Sequence, residues 1–313
     1  MSDGLRAGDV VLGVHGGTAS ELSSMTLELQ KRLRDGLHAA LVAGYAKLQE
    51  GGSSLDAVEA AVRVLEDAPE FNAGHGAVFS WEGRNSLDAA VMEGRQKRAG
   101  AVAGVTQIKN PVSCARTVLE KSEHVFLFAD GAQEFARYQG IELIDPAYFA
   151  TAERRRELED VKSGKIPKPH SIRPKQWGTV GAVALDAQGD LAAATSTGGM
   201  VGKRFGRVGD TPIIGGGTYA DNAAAAVSCT GHGEYFIRFA VAHEIVSQIK
   251  YKGTSVEDAV HDVVVNQLQN AGGEGAVIAL GKNGDFVMGR NCEGLYRGYV
   301  TRDGKFHTFL YDT

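Results

Sequence analysis

The chain has 313 residues, 43% hydrophobic and 23% charged, which is enough to bury one large domain or two ordinary ones. A formal net charge of −5 gives no basic field, so nucleic acid and anionic membrane surfaces are not expected partners, and small molecules or peptides fit better. Three scattered cysteines favour a reducing compartment, and the short apolar run near the N-terminus predicts neither a signal peptide nor a membrane span. We therefore expect a cytoplasmic protein.

The first half of the chain predicts mixed α and β structure. The run VVLGVHGG reads as a buried strand that leads into a glycine-rich loop. An amphipathic helix is predicted from about Met25 to Gln49, and a second begins at the serine caps of SSLDAVEAAVRVLEDA. Short segments rich in Ala and Val predict strands of one sheet; they are GAVFS, NSLDAAVMEG and RAGAVAGVTQI.

The pattern changes between residues 145 and 178. AERRRELEDVKSGKIPKPHSIRPKQWG carries three of the seven prolines and eight Lys or Arg residues, with few aliphatic residues after Val161. Such a composition buries too little apolar surface to offset its ordering entropy. It predicts a flexible linker, although an ordinary surface loop would have the same composition.

The second half predicts its own strands and helices. TVGAVALDAQGDLAAATS reads as a hairpin, AAAAVSCTGHGEYFIRFAVAHEIVSQIK as a strand, a turn and a helix, and SVEDAVHDVVVNQLQ as a further helix. Two later hairpins are signalled by Asn283–Gly284 and Asp303–Gly304. Two sheets packed face to face and covered by helices would accommodate this order.

Common metal and nucleotide motifs are missing from the sequence. His243–Glu244 lacks the second histidine of a zinc protease, and Gly202–Lys203 lacks the upstream glycine of a P-loop. GGGTYADN lacks the glycine spacing of a dinucleotide site, and no Gly-x-Ser-x-Gly elbow occurs. We therefore expect no cofactor and no metal ion in catalysis.

Polar residues instead concentrate in three glycine-rich turns: TSTGG, GRVGD and TGHGE. Functional residues commonly lie on loops at strand ends, where glycines let a ligand approach the backbone. The alternative is that these are tight turns whose hydroxyls only cap backbone groups. Three such turns downstream of a linker that ends in Gly178–Thr179 favour a functional site.

Cleavage between Gly178 and Thr179 would connect these features. A new N-terminal threonine carries both a hydroxyl nucleophile and a base, its own α-amino group, with a reference pKa of about 7.7–8.0. Before cleavage Thr179 lacks that base because its nitrogen is part of an amide. The predicted linker would then be the free tail of the first chain.

Eight motifs spread over nearly the whole chain resemble the plant-type L-asparaginase/isoaspartyl peptidase family of N-terminal-nucleophile hydrolases. They are VHGGTA, FNAGHGAVF, LDAAVMEG, AGAVAGV, GTVGAVALD, AAATSTGGM, GRVGDTPIIGGGTYADN and VSCTGHGEYFIR. The resemblance implies an α+β fold, a four-layer αββα sandwich formed by residues 1–313 as one domain. It also implies self-cleavage into an α chain (1–178, with 145–178 as a linker tail) and a β chain (179–313), and association of two αβ units.

The resemblance further implies the catalytic roles. Thr179 is the expected nucleophile and Thr197 is expected to hydrogen-bond and tune it. Thr230 Oγ1 and the Gly231 amide are expected to form an oxyanion hole, which stabilises charge that develops in the transition state.

Substrate-binding roles also follow from the resemblance. Arg207 is expected to bind the substrate carboxylate and Asp210 its ammonium group, whereas a surface ion pair between the two is the alternative reading. Gly233 is expected to contact substrate through its backbone, and Asn72 to lie near the nucleophile.

A structural sodium ion is implied as well, bound by backbone carbonyls in the loop from Leu65 to His75. The carbonyls belong to Leu65, Glu66, Ala68, Phe71, Ala73 and His75. The chain departs from the family pattern at His75, His232 and Thr18, and His232 bears on substrate preference because an imidazole beside the pocket adds bulk or a proton.

The resulting hypothesis is an amidohydrolase for L-asparagine and β-aspartyl (isoaspartyl) peptides that forms a covalent β-aspartyl-Thr179 intermediate. A glycosylasparaginase is one alternative, although that class normally occurs in a secreted or lysosomal setting with disulfides. The other alternative is a relative that does not cleave itself and only binds a ligand.

Overall fold

The computed structural model describes residues 5–19, 25–165 and 178–311. Within these ranges the strands are β1 (Leu5–Ala7), β2 (Val10–Ala19), β3 (Leu87–Glu93), β4 (Ala99–Val105), β5 (Phe126–Phe128), β6 (Val180–Leu185), β7 (Leu191–Thr197), β8 (Thr218–Ala220), β9 (Ala225–Gly231), β10 (Gly275–Gly281), β11 (Phe286–Arg290), β12 (Gly294–Thr301) and β13 (Phe306–Phe309). The α-helices are α1 (Leu27–Gln49), α2 (Ser54–Asp67), α3 (Pro111–Lys121), α4 (Ala129–Tyr138), α5 (Ala152–Lys162), α6 (Gly233–Arg238), α7 (Val241–Ser247) and α8 (Val256–His261).

Local sequence signals set several helix ends. Thr26 caps α1 by accepting a hydrogen bond from the Leu29 amide, and Ser53 and Asp56 form a reciprocal capping box at the start of α2. Two π-helical turns, Gln248–Lys252 and Asp262–Leu268, continue α7 and α8. The segment SVEDAVHDVVVNQLQ, predicted to be one helix, is therefore helical over most of its length, and its second half is π-helical.

The strands form two sheets. One has eight strands in the order β13-β12-β2-β6-β7-β3-β4-β5, and the other has five in the order β1-β11-β10-β9-β8. Neighbouring strands are antiparallel except for β4 and β5, which are parallel. Both faces of the central strands are buried, which explains why β6 is apolar throughout and why β7 begins with a run of Leu and Ala before its polar end, Thr195–Thr197.

Four layers follow from the packing. Helices α1 to α4 cover the outer face of the eight-stranded sheet, and α6 to α8 cover the outer face of the five-stranded sheet, while the inner faces pack against each other through β6, β7 and β9. Separate apolar clusters fill the two helix–sheet interfaces and the space between the sheets. The predicted αββα sandwich is confirmed.

Strand ends from both sheets meet at one edge of the sandwich. Thr179 directly precedes β6, and Thr197 ends the antiparallel neighbour β7, with Val180 opposite Ser196. Strand β9, which ends at Gly231, packs against both of these strands. The topology thus brings together residues from the glycine-rich turns.

Two segments differ from the sequence predictions. GAVFS is not a strand: it contains the end of a 3-10 turn at Gly74–Gly76 and one isolated bridge between Phe79 and Asn85. Residues 145–165, predicted to belong to a flexible linker, contain a 3-10 turn at Pro146–Phe149 followed by α5. The rest of the predicted linker up to residue 177 lies outside the described residues.

None of the helices in the described ranges combines the length and apolarity needed to cross a membrane.

Candidate active site

Thr179 and Thr197 form the centre of the site through their hydroxyl groups. Both side chains are buried. Thr179 Oγ1 donates to Thr197 Oγ1 at 3.1 Å, and Thr197 Oγ1 donates to the Gly178 carbonyl at 3.0 Å. The Gly199 amide donates to Thr197 Oγ1 at 2.9 Å and completes its hydrogen bonding. Thr197 therefore contacts both the expected nucleophile and the carbonyl of the bond expected to break.

Asn72 holds the same carbonyl from the other side. Its Nδ2 donates to the carbonyl oxygens of Gly178 and Gly199, each at 2.7 Å. Its Oδ1 accepts from the Val78 amide at 2.9 Å, which fixes the orientation of the side-chain amide. The Gly178 carbonyl thus accepts two hydrogen bonds, from Asn72 and Thr197, and both polarise it toward nucleophilic attack.

The HGG segment of β2 approaches this bond closely. A Cβ at Gly17 would lie 2.8 Å from Gly178 Cα and 3.1 Å from the Thr179 nitrogen, and Gly17 has a φ of +104°. Both the backbone conformation and the close approach require glycine here. A glycine is similarly required at residue 178, where a Cβ would lie 2.8 Å from Asn72 Cβ.

The expected oxyanion-hole residues lie at the end of β9. Gly231 lines the same small cavity as Thr179. Thr230 is fully buried, and its Oγ1 has no hydrogen-bond partner among the described residues. Buried hydroxyls are normally paired, so the unpaired Oγ1 is unusual. Gly231 lines the cavity, whereas Thr230 is not among its lining residues.

Arg207 and Asp210 lie together but do not pair with each other. Arg207 forms a bidentate pair with Glu234, with Nε–Oε1 at 3.0 Å and Nη2–Oε2 at 2.9 Å. Burial opposes the charge of Arg207, but the Glu234 carboxylate raises its pKa. Asp210 is buried, and its Oδ2 has no hydrogen-bond partner in the described part of the chain. Burial raises the pKa of Asp210 to about 7, against the opposing effect of Arg207.

The cavity enclosed by these groups is small. It has a volume of about 10 Å³, which is about the space accessible to one water molecule. Its lining residues are Gly178, Thr179, Thr197, Gly199, Arg207, Gly209, Asp210, Thr211 and Gly231. Gly233 adjoins it, because a Cβ there would lie 2.8 Å from Arg207 Nη2 and 2.9 Å from Asp210 Oδ1. In the uncut chain Gly178 is thus part of the cavity wall.

Comparisons with known proteins identify the family. Residues 8–310 match the family described as asparaginase. The chain belongs to the asparaginase family.

Curated members of the asparaginase family match over almost their whole length. An isoaspartyl peptidase of Escherichia coli is 46% identical over 299 residues, covering 93% of each chain. The human isoaspartyl peptidase/L-asparaginase is 41% identical, covering 95% of this chain and 94% of its own. A probable isoaspartyl peptidase/L-asparaginase of Arabidopsis thaliana is 36% identical, covering 97% and 100%. The resemblance recognised in the sequence is thereby confirmed.

Two residues close to the candidate site of this asparaginase-family chain were not singled out from the sequence. Glu234 occurs in TGHGE but its pairing with Arg207 depends on the fold. His15, in VHGG, lies between the sheets: its Nε2 is 2.9 Å from Ser228 Oγ, and its imidazole faces the backbone of Thr179. Burial lowers the pKa of His15 to about 3, so the ring is neutral at physiological pH.

The sequence predicted a role only for the backbone carbonyl of Glu66, but its side chain also has a structural role. Glu66 Oε1 accepts from Ser196 Oγ at 2.6 Å and from the Val112 amide at 3.0 Å. It therefore connects the end of α2, from which the Asn72 loop starts, with strand β7. Burial raises the pKa of this carboxyl group to about 8.

The three departures from the family pattern have defined positions. His75 Nδ1 lies 2.6 Å from the Tyr148 carbonyl oxygen, and the His75 ring packs on the Tyr148 ring. His75 therefore connects its loop to the 3-10 turn that precedes α5. His232 Nε2 is 3.4 Å from Glu234 Oε2, the same oxygen that Arg207 Nη2 contacts at 2.9 Å. Thr18 lines a separate groove of about 420 Å³ beside Gly178.

Proposed function

We propose that this chain cleaves itself between Gly178 and Thr179 and then hydrolyses L-asparagine and β-aspartyl peptides. The observation that carries the proposal is the position of the Gly178 carbonyl, bound by Asn72 and Thr197 while the Thr179 hydroxyl donates to Thr197. Membership of the asparaginase family supports it, since curated relatives are named isoaspartyl peptidases and L-asparaginases. The two hydrogen bonds polarise the Gly178 carbonyl and so support the proposed intramolecular attack on it.

In the cleavage step, Thr179 Oγ1 attacks the Gly178 carbonyl carbon. Asn72 and Thr197 stabilise the developing negative charge on the carbonyl oxygen through their hydrogen bonds. The C–N bond breaks, the hydroxyl proton ends on the Thr179 nitrogen, and an ester links residues 178 and 179. Water then hydrolyses the ester, which releases the Gly178 carboxylate and leaves Thr179 with a free hydroxyl and amine.

The free amine is the proposed general base. With a reference pKa of about 7.7–8.0 it is partly neutral near pH 7 and can accept the Thr179 hydroxyl proton as Oγ1 attacks the side-chain carbonyl of the substrate. The amine returns the proton to the leaving nitrogen, which departs as ammonia or a peptide amine. Water then attacks the β-aspartyl-Thr179 ester and releases aspartate. Thr230 Oγ1 and the Gly231 amide are the proposed donors to the oxyanion.

The proposed substrate contacts use Arg207 and Asp210. Glu234 occupies the Nε and Nη2 edge of the Arg207 guanidinium, so a substrate carboxylate would bind through Nη1 or displace Glu234. Asp210, with an unpaired Oδ2 among the described residues, is suited to the substrate ammonium. A cavity of about 10 Å³ is too small for asparagine. Gly178, which forms part of the cavity wall, must therefore move away before substrate binds.

We also propose the structural sodium ion. The carbonyls of Ala68, Phe71 and Ala73 accept hydrogen bonds within the compact loop, and the Glu66 carbonyl lies 2.2 Å from the position of a Cβ at Gly74. Carbonyl oxygens keep a second lone pair and suit a hard cation, which supports a sodium site in this loop. The ion would hold the loop that carries Asn72.

The remaining proposals concern assembly and location. Two αβ units are proposed to associate into a dimer, substrates are small molecules or dipeptides, and neither nucleic acid nor a membrane is an expected partner. The net charge of −5 is compatible with these expectations. A cytoplasmic location is proposed from the sparse, unpaired cysteines.

The test is a denaturing gel of the purified protein with N-terminal sequencing of its fragments. We expect two fragments, the smaller beginning TVGAVALD, and hydrolysis of asparagine and a β-aspartyl dipeptide. Thr179→Ala removes the nucleophile and is expected to remain a single inactive chain. Thr179→Ser is the matched control, since it keeps a hydroxyl group and is expected to cleave.

Hydrolysis of asparagine by the uncut Thr179→Ala chain would refute the mechanism. A wild-type chain that stays intact on long incubation and binds substrate without turnover would favour the ligand-binding alternative.

A further inference from the structure

A buried ion pair lies directly behind the candidate active site. Lys203 Nζ is 3.9 Å from Asp88 Oδ2, and the two side chains are only 4% and 1% exposed. Nζ also donates to the Ser86 carbonyl at 2.8 Å, and Asp88 Oδ1 accepts from the Gly104 amide at 2.9 Å. Replacing a buried ion pair by apolar residues is often neutral or stabilising, so stability alone does not account for this one.

Burial opposes the charges of both groups. It lowers the pKa of Lys203 and raises the pKa of Asp88, and each group partly offsets the effect on the other. The Arg207 guanidinium lowers the pKa of both. The pair therefore lies within the electrostatic field of the groups that line the small cavity.

Both residues of the pair adjoin groups of the site. Asp88 lies on β3 directly opposite Thr197 of β7. Lys203 packs against Gly199, since a Cβ at Gly199 would lie 3.0 Å from Lys203 Nζ and 3.2 Å from its Cδ. The Gly199 amide donates to Thr197 Oγ1, and the Gly199 carbonyl accepts from Asn72 Nδ2. Lys203 thus supports a turn whose amide and carbonyl each bind a side chain of the site.

We propose that Lys203 is a positioning residue that holds the Gly199 turn. Through this turn it orients the Thr197 hydroxyl and the Asn72 amide, the two groups that contact the Gly178 carbonyl. Small displacements of such groups lower reaction rates strongly, although the substrate still binds. The kinetic part of this inference rests on the proposed function.

The kinetic test compares Lys203→Met with Asp88→Asn in the processed enzyme. Each substitution breaks the ion pair and is expected to lower the thermal midpoint, because it leaves one buried charge without its partner. Only Lys203→Met also removes the donor to Ser86 and the ammonium group behind Gly199. With asparagine we expect kcat to fall about tenfold in Lys203→Met and less than about threefold in Asp88→Asn, with KM changed less than about threefold in both.

The double variant Asp88→Asn/Lys203→Met separates stability from positioning. It buries no charge at this place, so it is expected to recover the thermal midpoint while it keeps the lower kcat. It also provides the test if Lys203→Met alone does not fold. Lys250→Met is the matched control: Lys250 pairs with Asp221 at 2.9 Å near the start of β9, whereas the site lies at the end of β9, and kcat should stay unchanged.

Hydrogen exchange of the Gly199 amide tests the contact without any activity. It is measured in the uncut Thr179→Ala chain, with and without Lys203→Met. We expect about tenfold faster exchange with Lys203→Met, because a displaced turn weakens the hydrogen bond from Gly199 to Thr197. Asp88→Asn should change this rate by less than about threefold.

The outcomes separate this inference from the proposed function. Equal losses of kcat in the two single variants, with recovery in the double variant, would overturn it, because the pair would then contribute only stability. Unchanged kcat and unchanged Gly199 exchange in Lys203→Met would overturn it as well. If the wild-type protein does not hydrolyse asparagine, the proposed function fails, and the exchange measurement alone decides whether Lys203 holds the turn.

Discussion

Asp210 is a buried carboxyl group whose protonation decides whether it can bind an ammonium group. Burial raises its pKa to about 7, and Arg207 opposes that effect. Above this pKa the carboxylate is ionised and would attract the ammonium group of the proposed substrate, whereas below it the neutral acid would not. The α-amino group that cleavage is proposed to free on Thr179 has a reference pKa of about 7.7–8.0, but in the proposed mechanism it acts on every substrate alike. The two groups can therefore be separated by the choice of substrate.

We predict that the kcat/KM ratio of asparagine to succinamate, which lacks the α-amino group, is about tenfold lower at pH 6 than at pH 8. The reason is that only asparagine uses the Asp210 charge. In Asp210→Asn the ratio should be independent of pH. Parallel pH profiles for the two substrates in the wild-type enzyme would show that Asp210 does not bind the ammonium.

Sequence reasoning identified most of the residues that the fold brings together, and its omissions have a common cause. Thr179, Thr197, Asn72, Arg207 and Asp210 could be named because they occur in motifs of the family. The residues that contact them could not be named, because they lie far away along the sequence.

Two contacts illustrate this limit. Glu234 binds Arg207 across 27 residues, and His15 binds Ser228 across 213 residues. Neither pairing leaves a signal in the local sequence. The same applies to the side chain of Glu66, which bonds Ser196 across 130 residues.

At the level of elements, the main error concerns α5. The segment is so rich in charge that its composition indicates a linker, yet few apolar residues are enough to attach a short helix. Leu158 and Val161 are buried in a small cluster with Phe79, and Thr151 caps the helix by accepting from the Arg154 amide. The Arg155 guanidinium also lies over the Phe79 ring at 4.8 Å. The average composition of the segment does not reveal that two of its residues, Leu158 and Val161, are buried.

We predict that Leu158→Ala weakens the attachment of α5 by about 2–5 kcal/mol, because it removes a buried side chain from a small cluster. Hydrogen exchange of the amides in Ala152–Lys162, measured in the uncut Thr179→Ala chain, should be correspondingly faster. Glu159→Ala, one position along on the exposed face, is the control and should leave exchange nearly unchanged. Equal exchange in the Leu158 variant would mean that α5 is held by other contacts.

At the scale of the whole molecule, the proposed cleavage divides the chain into a first segment (1–178) and a second segment (179–313). Each of the two sheets contains strands from both segments. In the eight-stranded sheet, β2 from the first segment lies between β12 and β6 from the second, and β3 pairs with β7. In the five-stranded sheet, β1 pairs with β11. Hydrophobicity patterns predicted two sheets and their helices, but this interleaved order depends on long-range pairing that no local pattern encodes.

The interleaved sheets lead to a last prediction: the two chains produced by cleavage remain associated under native conditions. Separating them would break the β2–β6, β2–β12 and β3–β7 backbone ladders and expose the core that both segments share. On size-exclusion chromatography with light scattering, both fragments should co-elute at twice 33.1 kDa if two αβ units associate as proposed, and separate only in denaturant. Uncut Thr179→Ala should elute at the same position, because the ladders do not depend on the bond at Gly178. A smaller fragment that eluted alone in native buffer would be incompatible with this topology, since β6, β7 and β12 would then have lost their neighbours within the sheet.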